Sequence, residues 1–176
     1  MRELTLSELC TPLAAQLRGA DLSFVAVSTD TRNIGKGDLF VALHGDNFDG
    51  HDYIDQARAA GAAACVSERA VEGLPTLQVA DTLAALGRLG AYNRSLFDGP
   101  LVAITGSSGK TTVKNMVYAV LSRAGATLAT EGNFNNEVGV PLTLLRLEPA
   151  VRYAVVEMGA GKAGDIAWLC ELGRPT

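Results

Sequence analysis

The chain has 176 residues, of which 48% are hydrophobic and 19% charged, and it carries a net charge of -4 with a pI near 5.1. That composition fits one folded domain, or two small ones, and excludes intrinsic disorder. The acidic balance argues against a broad nucleic-acid surface, although a phosphorylated ligand needs only a few local donors, and no apolar run approaches the ~20 residues of a membrane span.

Leu6, Leu9, Leu13 and Leu17 recur at helical spacing and predict a short helix within Leu4 to Leu17, interrupted by Pro12. Phe24-Val25-Ala26-Val27 reads as a strand, which Thr29-Asp30-Thr31-Arg32 leaves as a loop. Gly35 and Gly37 mark a turn before a second strand, Leu39 to Leu43. After the loop Gly45 to Gly50, a helix is expected from about His51 to Ala60, with Ile54, Ala57 and Ala60 inward and Gly61 as its C-terminal cap. Ala63 to Val66 and Leu77 to Val79 read as further strands. The apolar set expected to hold this unit together is Phe24, Val25, Val27, Leu39, Phe40, Val41, Val66 and Val79. The β-α-β alternation predicts a small α/β unit.

Asp81 is a candidate N-cap for a helix running to about Leu96, with Leu83, Leu86 and Leu89 on one side. The turn cluster Asp98-Gly99-Pro100 ends it and marks the expected domain boundary, giving domains 1–98 and 99–176. The second unit starts with the strand Leu101 to Thr105, a glycine loop, and an amphipathic helix from Lys110 to Ala124 with Gly125 as C-cap candidate. A strand at Thr127 to Ala129, a polar loop from Glu131 to Glu137, a short helix after Pro141, the strand Tyr153 to Glu157 and a helix over Asp165 to Leu172 follow. The fold class is therefore α/β: a small N-terminal unit, then a mostly parallel sheet with a phosphate loop. Three strands make a thin sheet for a nucleotide-binding domain, so the chain is expected to be the front portion of a longer protein.

The sharpest chemical signal is Thr105-Gly106-Ser107-Ser108-Gly109-Lys110-Thr111-Thr112, between a buried-looking strand and a helix. This is the context that a phosphate-binding P-loop requires. Gly106 and Gly109 permit backbone shapes in which several N–H groups face one point, and the following helix turns its positive end there. Lys110 adds a full charge for the β- and γ-phosphates, and Thr111 offers a hydroxyl to Mg²⁺. The full GxxxxGK[ST] pattern is not met, since Ile104 stands where its first glycine would be; the shorter G-x-x-G-K-T-T form is present. Glu157 ends a strand and precedes Met158-Gly159-Ala160-Gly161. In a parallel sheet it would lie beside the P-loop, as a second oxygen ligand for Mg²⁺.

The amides of the loop Glu131 to Glu137 can bond a sugar or phosphate, but Asn and Gly also simply make turns. His44 and His51, the only histidines, have no partners at ligand spacing, so no metal role is expected of them. Cys10, Cys65 and Cys170 are odd in number and lack CxxC spacing; they read as free thiols in a reducing cytoplasm. No secretory signal is visible at Met1-Arg2-Glu3-Leu4-Thr5. No nucleophile–base pair stands out, and Ser107 and Ser108 are expected to shape the loop.

Taken together, these segments resemble the front of a Mur ligase. The resemblance is carried by Ser28-Thr29-Asp30-Thr31-Arg32, Gly37 to Leu43, Phe48-Asp49-Gly50-His51-Asp52, the loop Gly106 to Thr112, Gly132-Asn133-Phe134-Asn135-Asn136 and Glu157-Met158-Gly159-Ala160. The G-x-x-G-K-T-T form is shared across Mur ligases and folylpolyglutamate synthases. The Gly132 to Asn136 loop with Val138 to Leu145 resembles the members that add D-alanyl-D-alanine to UDP-N-acetylmuramoyl-tripeptide; the sister ligase adding the third residue usually has a Thr-rich sequence there.

The resemblance implies an N-terminal domain for the UDP substrate, a central ATP domain and a C-terminal domain for the incoming amine, of which this chain resembles the first and the front of the second. It implies ATP and Mg²⁺ as cofactors and an acyl phosphate attacked by the amine of D-Ala-D-Ala, releasing ADP and phosphate. Lys110 is the implied catalytic residue; Gly106, Ser107, Ser108, Gly109, Lys110, Thr111 and Thr112 the ATP site; Thr111 and Glu157 the metal site. Thr29, Thr31, Asp46, Asn47 and Phe48 are candidates for the UDP part, and Asn135 and Asn136 for the muramoyl part. Residues 1–176 alone are expected not to form the amide bond. A cytoplasmic monomer without nucleic-acid partners is expected. Another Mur-type ligase acting on UDP-muramoyl-dipeptide, or a non-catalytic module binding UDP-sugar or nucleotide, stays open. A GTPase-type switch is disfavoured by the absence of an NKxD motif.

Overall fold

Short aliphatic runs, separated by turn residues and by Ala/Leu-rich helices, build an α/β protein in the computed structural model, which describes residues 1–45 and 48–176. In chain order the first elements are β1 (Leu4–Thr5), α1 (Leu6–Leu13), β2 (Gln16–Arg18), β3 (Ser23–Phe24), β4 (Val27–Ser28), β5 (Leu39–Val41), β6 (His44–Gly45), β7 (Phe48–Asp49), α2 (Ile54–Ala60), β8 (Ala64–Ser67), β9 (Thr76–Gln78) and α3 (Thr82–Ser95). The order β2-β9-β8-β5-β4 forms a sheet that is parallel except for the β2–β9 pair. Strand β1 pairs with β3, and β6 with β7, as small antiparallel ribbons. Phe40, Ala42, Ile54, Ala57, Cys65 and Leu74 pack as one apolar cluster.

Contacts divide the chain into two units, Arg2–Leu89 and Gly90–Thr176 with Met1. The division falls inside α3, before the Asp98-Gly99-Pro100 turn. The reason lies in the last turns of α3: Asn93 Nδ2 donates to the carbonyls of Leu144 and Leu147, and Arg94 Nε to that of Gly173. Arg88, earlier in the same helix, donates instead to the Leu13 carbonyl of the first unit. At the start of α3, Asp81 Oδ1 accepts from the N–H of Ala84, as an N-cap does.

The second unit continues with β10 (Leu101–Ile104), α4 (Lys110–Leu121), β11 (Thr127–Ala129), α5 (Gly139–Leu145), β12 (Tyr153–Glu157) and α6 (Asp165–Gly173). Its sheet, β10-β12-β11, is wholly parallel. Leu101, Val140, Leu144, Ala154, Val156 and Leu169 belong to its core.

Several expectations are corrected. Helix α1 stops at Leu13, where Ala14 turns left-handed (φ 51°), so Leu17 lies in β2 and not on a helix. The strand expected over Phe24 to Val27 is split, because Phe24 pairs with Leu4 of β1 while Val27 pairs with Leu39 of β5. Val25, between the two, is exposed and leaves the apolar set. Ala60 is exposed, so only Ile54 and Ala57 of α2 point inward. Gly61 does close α2 in the left-handed conformation. Gly125 is no left-handed cap: α4 ends through turns at 122–124, and a Cβ on Gly125 would meet the Arg152 side chain at 2.9 Å. Nor is α4 amphipathic in the expected sense, since Val113, Met116 and Val120 are exposed and its one buried residue is Lys114.

Candidate functional site

Strand β10 ends at Ile104, and the loop from Thr105 to Gly109 carries the chain into α4. Gly106 (φ +148°) and Gly109 (φ +75°) both have positive φ, which side chains on an L-residue disfavour, so the loop shape depends on glycine at these two places. The first N–H groups of an α-helix have no partner within the helix and can meet a ligand, and here α4 starts at the loop. Lys110 Nζ donates to the Gly106 carbonyl at 2.9 Å, folding the side chain back over the loop. Ser107, Ser108, Thr111 and Thr112 are exposed.

Across the sheet, Ile104 and Glu157 are register partners, so Glu157 ends β12 level with the start of the loop. Its side chain is 2% exposed. One carboxylate oxygen accepts from Thr111 Oγ1 at 2.9 Å and the other from Asn135 Nδ2 at 2.9 Å, while its N–H donates to Thr130 Oγ1. The Asn135 carbonyl in turn accepts from the Gly159 N–H at 2.7 Å, and a Cβ on Gly159 would meet the Asn135 amide at 3.2 Å. A hydroxyl and an anionic carboxylate side by side form the hard-oxygen set that Mg²⁺ takes. No cluster of three His, Cys, Asp or Glu side chains fit to hold a metal exists among the described residues.

A cleft of about 730 Å³ opens over this arrangement, lined among others by Gly106, Ser107, Lys110, Asn135, Asn136 and Asp165. Asp165, at the start of α6, accepts from the N–H groups of Gly161 and Lys162, and these bonds hold its carboxyl below the usual range. Asn136 has a structural duty beside its place in the cleft, since its Oδ1 accepts from the N–H of Gly139, the first residue of α5, at 2.9 Å.

In the first unit a second cleft, of about 440 Å³, is lined by Thr29, Asp30, Thr31, Arg32, Phe40, Phe48, Tyr53 and Gln56. It gathers three of the five residues expected to meet the UDP part, Thr29, Thr31 and Phe48; Asp46 and Asn47 lie outside the described residues. Phe48 stacks on Tyr53 with ring centroids 5.1 Å apart. Asp30 receives Arg32 twice over, side chain and N–H, which holds its carboxyl down at about 2. Behind Phe48, Asp49 accepts from the N–H and Nδ1 of His51 and from Arg69, and is likewise held at about 2. His51 Nε2 accepts from the Glu68 N–H, so both ring nitrogens are engaged in structure and not in metal binding.

Two family models match the chain: the Mur ligase middle domain over residues 104–176, and the Mur ligase family catalytic domain over residues 23–92. The chain belongs to the Mur ligase family. Among Mur ligases it is 52% identical, over 99% of its length, to the UDP-N-acetylmuramoyl-tripeptide--D-alanyl-D-alanine ligase of Escherichia coli, and 40% identical, over 85%, to that of Bacillus subtilis. It spans 39% and 34% of those two relatives. A crystal structure of MurF from Acinetobacter baumannii superposes with a TM-score of 0.94 at 38% identity, over 99% of this chain and 40% of that one. MurF from Thermotoga maritima in complex with ADP gives 0.78 at 38% identity, over 85% and 35%.

Four features in and around the two clefts escaped the sequence. The Asn135 bond to Glu157 crosses 22 positions and has no local pattern. Lys114 follows Lys110 by one helical turn, which is a signal, but nothing in the sequence says that it is buried. Tyr53 could have been suspected as a second aromatic close after Phe48. Asp165 was visible only as a helix start.

Proposed function

We propose that this chain supplies the UDP-substrate and ATP-phosphate sites of an ADP-forming ligase that joins D-alanyl-D-alanine to UDP-N-acetylmuramoyl-tripeptide. The observation that carries this reading is the Thr111–Glu157 oxygen pair beside Lys110 at the C-terminal edge of a parallel sheet, where such folds take nucleotides. The backbone of Gly106 to Thr112 cradles the phosphates. Lys110 swings from the Gly106 carbonyl to the β- and γ-phosphates, and so neutralises charge on the phosphoryl group as it moves to the substrate carboxylate. Thr111 and Glu157 would hold Mg²⁺, which supplies further charge neutralisation there.

Attack by the D-Ala-D-Ala amine on the acyl phosphate then gives the amide, with phosphate leaving. Thr29, Thr31 and Phe48, with Asp46 and Asn47, take the UDP part; Asn135 and Asn136 serve the muramoyl part. We place the reaction in the cytoplasm, where ATP and free thiols are both maintained, with the enzyme a monomer.

The test is a chimera in which this chain replaces the matching front part of the Escherichia coli ligase. Given ATP, Mg²⁺, UDP-muramoyl-tripeptide and D-Ala-D-Ala, it should form the pentapeptide product by mass spectrometry. With UDP-muramoyl-dipeptide and a free amino acid it should form nothing. A cooperatively melting chimera without pentapeptide product overturns the reading.

A further inference from the structure

The one buried side chain of α4 is a cation. Lys114 is 5% exposed, whereas Val120 on the same helix is 70% exposed. A helix lying on a sheet ordinarily turns its apolar side chains inward, and a buried ammonium is costly unless it is paired. Yet, among the described residues, the ammonium of Lys114 has one hydrogen-bond partner, the Thr130 carbonyl at 2.7 Å, and no carboxylate forms an ion pair with it.

Thr130 is where this arrangement acquires a purpose. It follows the last residue of β11 and is itself buried. Its N–H donates to the Val155 carbonyl, its carbonyl accepts from Lys114, and its Oγ1 accepts from the N–H of Glu157 at 2.9 Å. Lys114 lies three residues beyond Thr111 and four beyond Lys110, on one side of the helix. Helix α4 therefore grips Glu157 twice: Thr111 holds its carboxylate directly, and Lys114 holds its main chain through Thr130.

We propose that Lys114 is a positioning residue of the nucleotide cleft, which fixes Glu157 through Thr130 and so sets how well the Thr111–Glu157 oxygen pair takes a divalent cation. The inference rests on the proposed role of Glu157 as a cation ligand. A buried ammonium suits this task because it bonds the carbonyl strongly and cannot turn away to accept a competing donor.

The experiment is calorimetric titration of the protein with ADP, with and without Mg²⁺. Wild type should gain affinity from Mg²⁺, and Glu157→Gln should lose that gain. Lys114→Met, which keeps the aliphatic stem, should reduce the Mg²⁺-dependent gain by about 10- to 100-fold, the usual effect of removing a group that orients a metal ligand. Its ADP affinity without Mg²⁺ should stay within about twofold of wild type, because the phosphate loop is untouched. Thr130→Val should give the same loss, and the double variant no more than either single one, since the two act in series.

A full Mg²⁺ gain in Lys114→Met or Thr130→Val overturns the proposal, as do additive losses. If Lys114→Met gives no cooperative melt, Thr130→Val decides. If wild type shows no Mg²⁺ gain, or Glu157→Gln keeps it, then the role of Glu157 fails first and takes this inference with it.

Discussion

Among the described residues the Lys110 side chain makes one hydrogen bond, to the Gly106 carbonyl of its own loop, and that bond is exposed. Replacing it by Ala should therefore leave the fold intact and remove only what the ammonium gives to phosphate. ADP affinity should fall by about 10- to 100-fold, corresponding to the ~1.5–3 kcal/mol of a hydrogen bond to a charged group. Calorimetry measures this, and an unchanged melting curve checks the fold. Glu157→Gln acts differently. The amide has one acceptor oxygen, so it can keep the bond from Thr111 or the bond from Asn135 but not both. It also removes the anionic oxygen that a hard cation prefers. The Mg²⁺ concentration needed for half-maximal ADP binding should rise by at least about tenfold.

At the scale of elements, α3 carries the least visible duty. Arg94 is buried and spends its guanidinium on three carbonyls, those of Phe97, Gly173 and Arg174, and so satisfies the C-terminal ends of α3 and α6 together. Arg94→Ala would leave these carbonyls without their donor and open a void. It should destabilise the second unit by about 2–4 kcal/mol. Trp168, the single tryptophan, lies in α6 and reports the change by fluorescence during urea unfolding. Periodicity found α3 and its N-cap Asp81, because both are local properties. It could not find Arg94 as a clamp, because a basic residue near the end of a helix ordinarily points to water. The same limit explains Leu17: its spacing from Leu13 fits a helix, but pairing with Leu77 of β9 put it in a strand.

Across the whole molecule, charge responds to acid unevenly. Asp30 and Asp49 are held at about 2, the first mainly by the Arg32 side chain and the second by the N–H and ring of His51. Asp21 is also lowered, chiefly by the Ser7 hydroxyl. All three belong to the unit Arg2–Leu89, against Asp165 in the other. Their folded pKa values lie below the ~3.9 of an unfolded Asp, so their contribution to stability is present above that pH and lost as pH falls toward 2. Acidification from pH 5 to pH 2 should therefore loosen the first unit before the second. Hydrogen exchange read by mass spectrometry should show the amides of β5 and β8 losing protection ahead of those of β12. Equal loss in both units would contradict the expected order.

What the sequence determined by itself was local in origin. Gly106 to Thr112 between strand and helix, Glu157 at a strand end, the α/β alternation and the Asp81 cap each follow from neighbours a few residues apart, whose backbone preferences act in any context. Thr29, Thr31 and Phe48 were gathered by resemblance and then found around one cleft. The tertiary structure alone decided which groups meet across the chain: Asn135 on Glu157, Lys114 on Thr130, Arg94 on the ends of two helices, and Val25 left exposed between two sheets. Apolar spacing states that a residue has an inward or outward face but not what lies opposite it. A hydrogen bond between residues far apart in the chain is set by how the sheet brings strand ends together, and that register is written in no single segment.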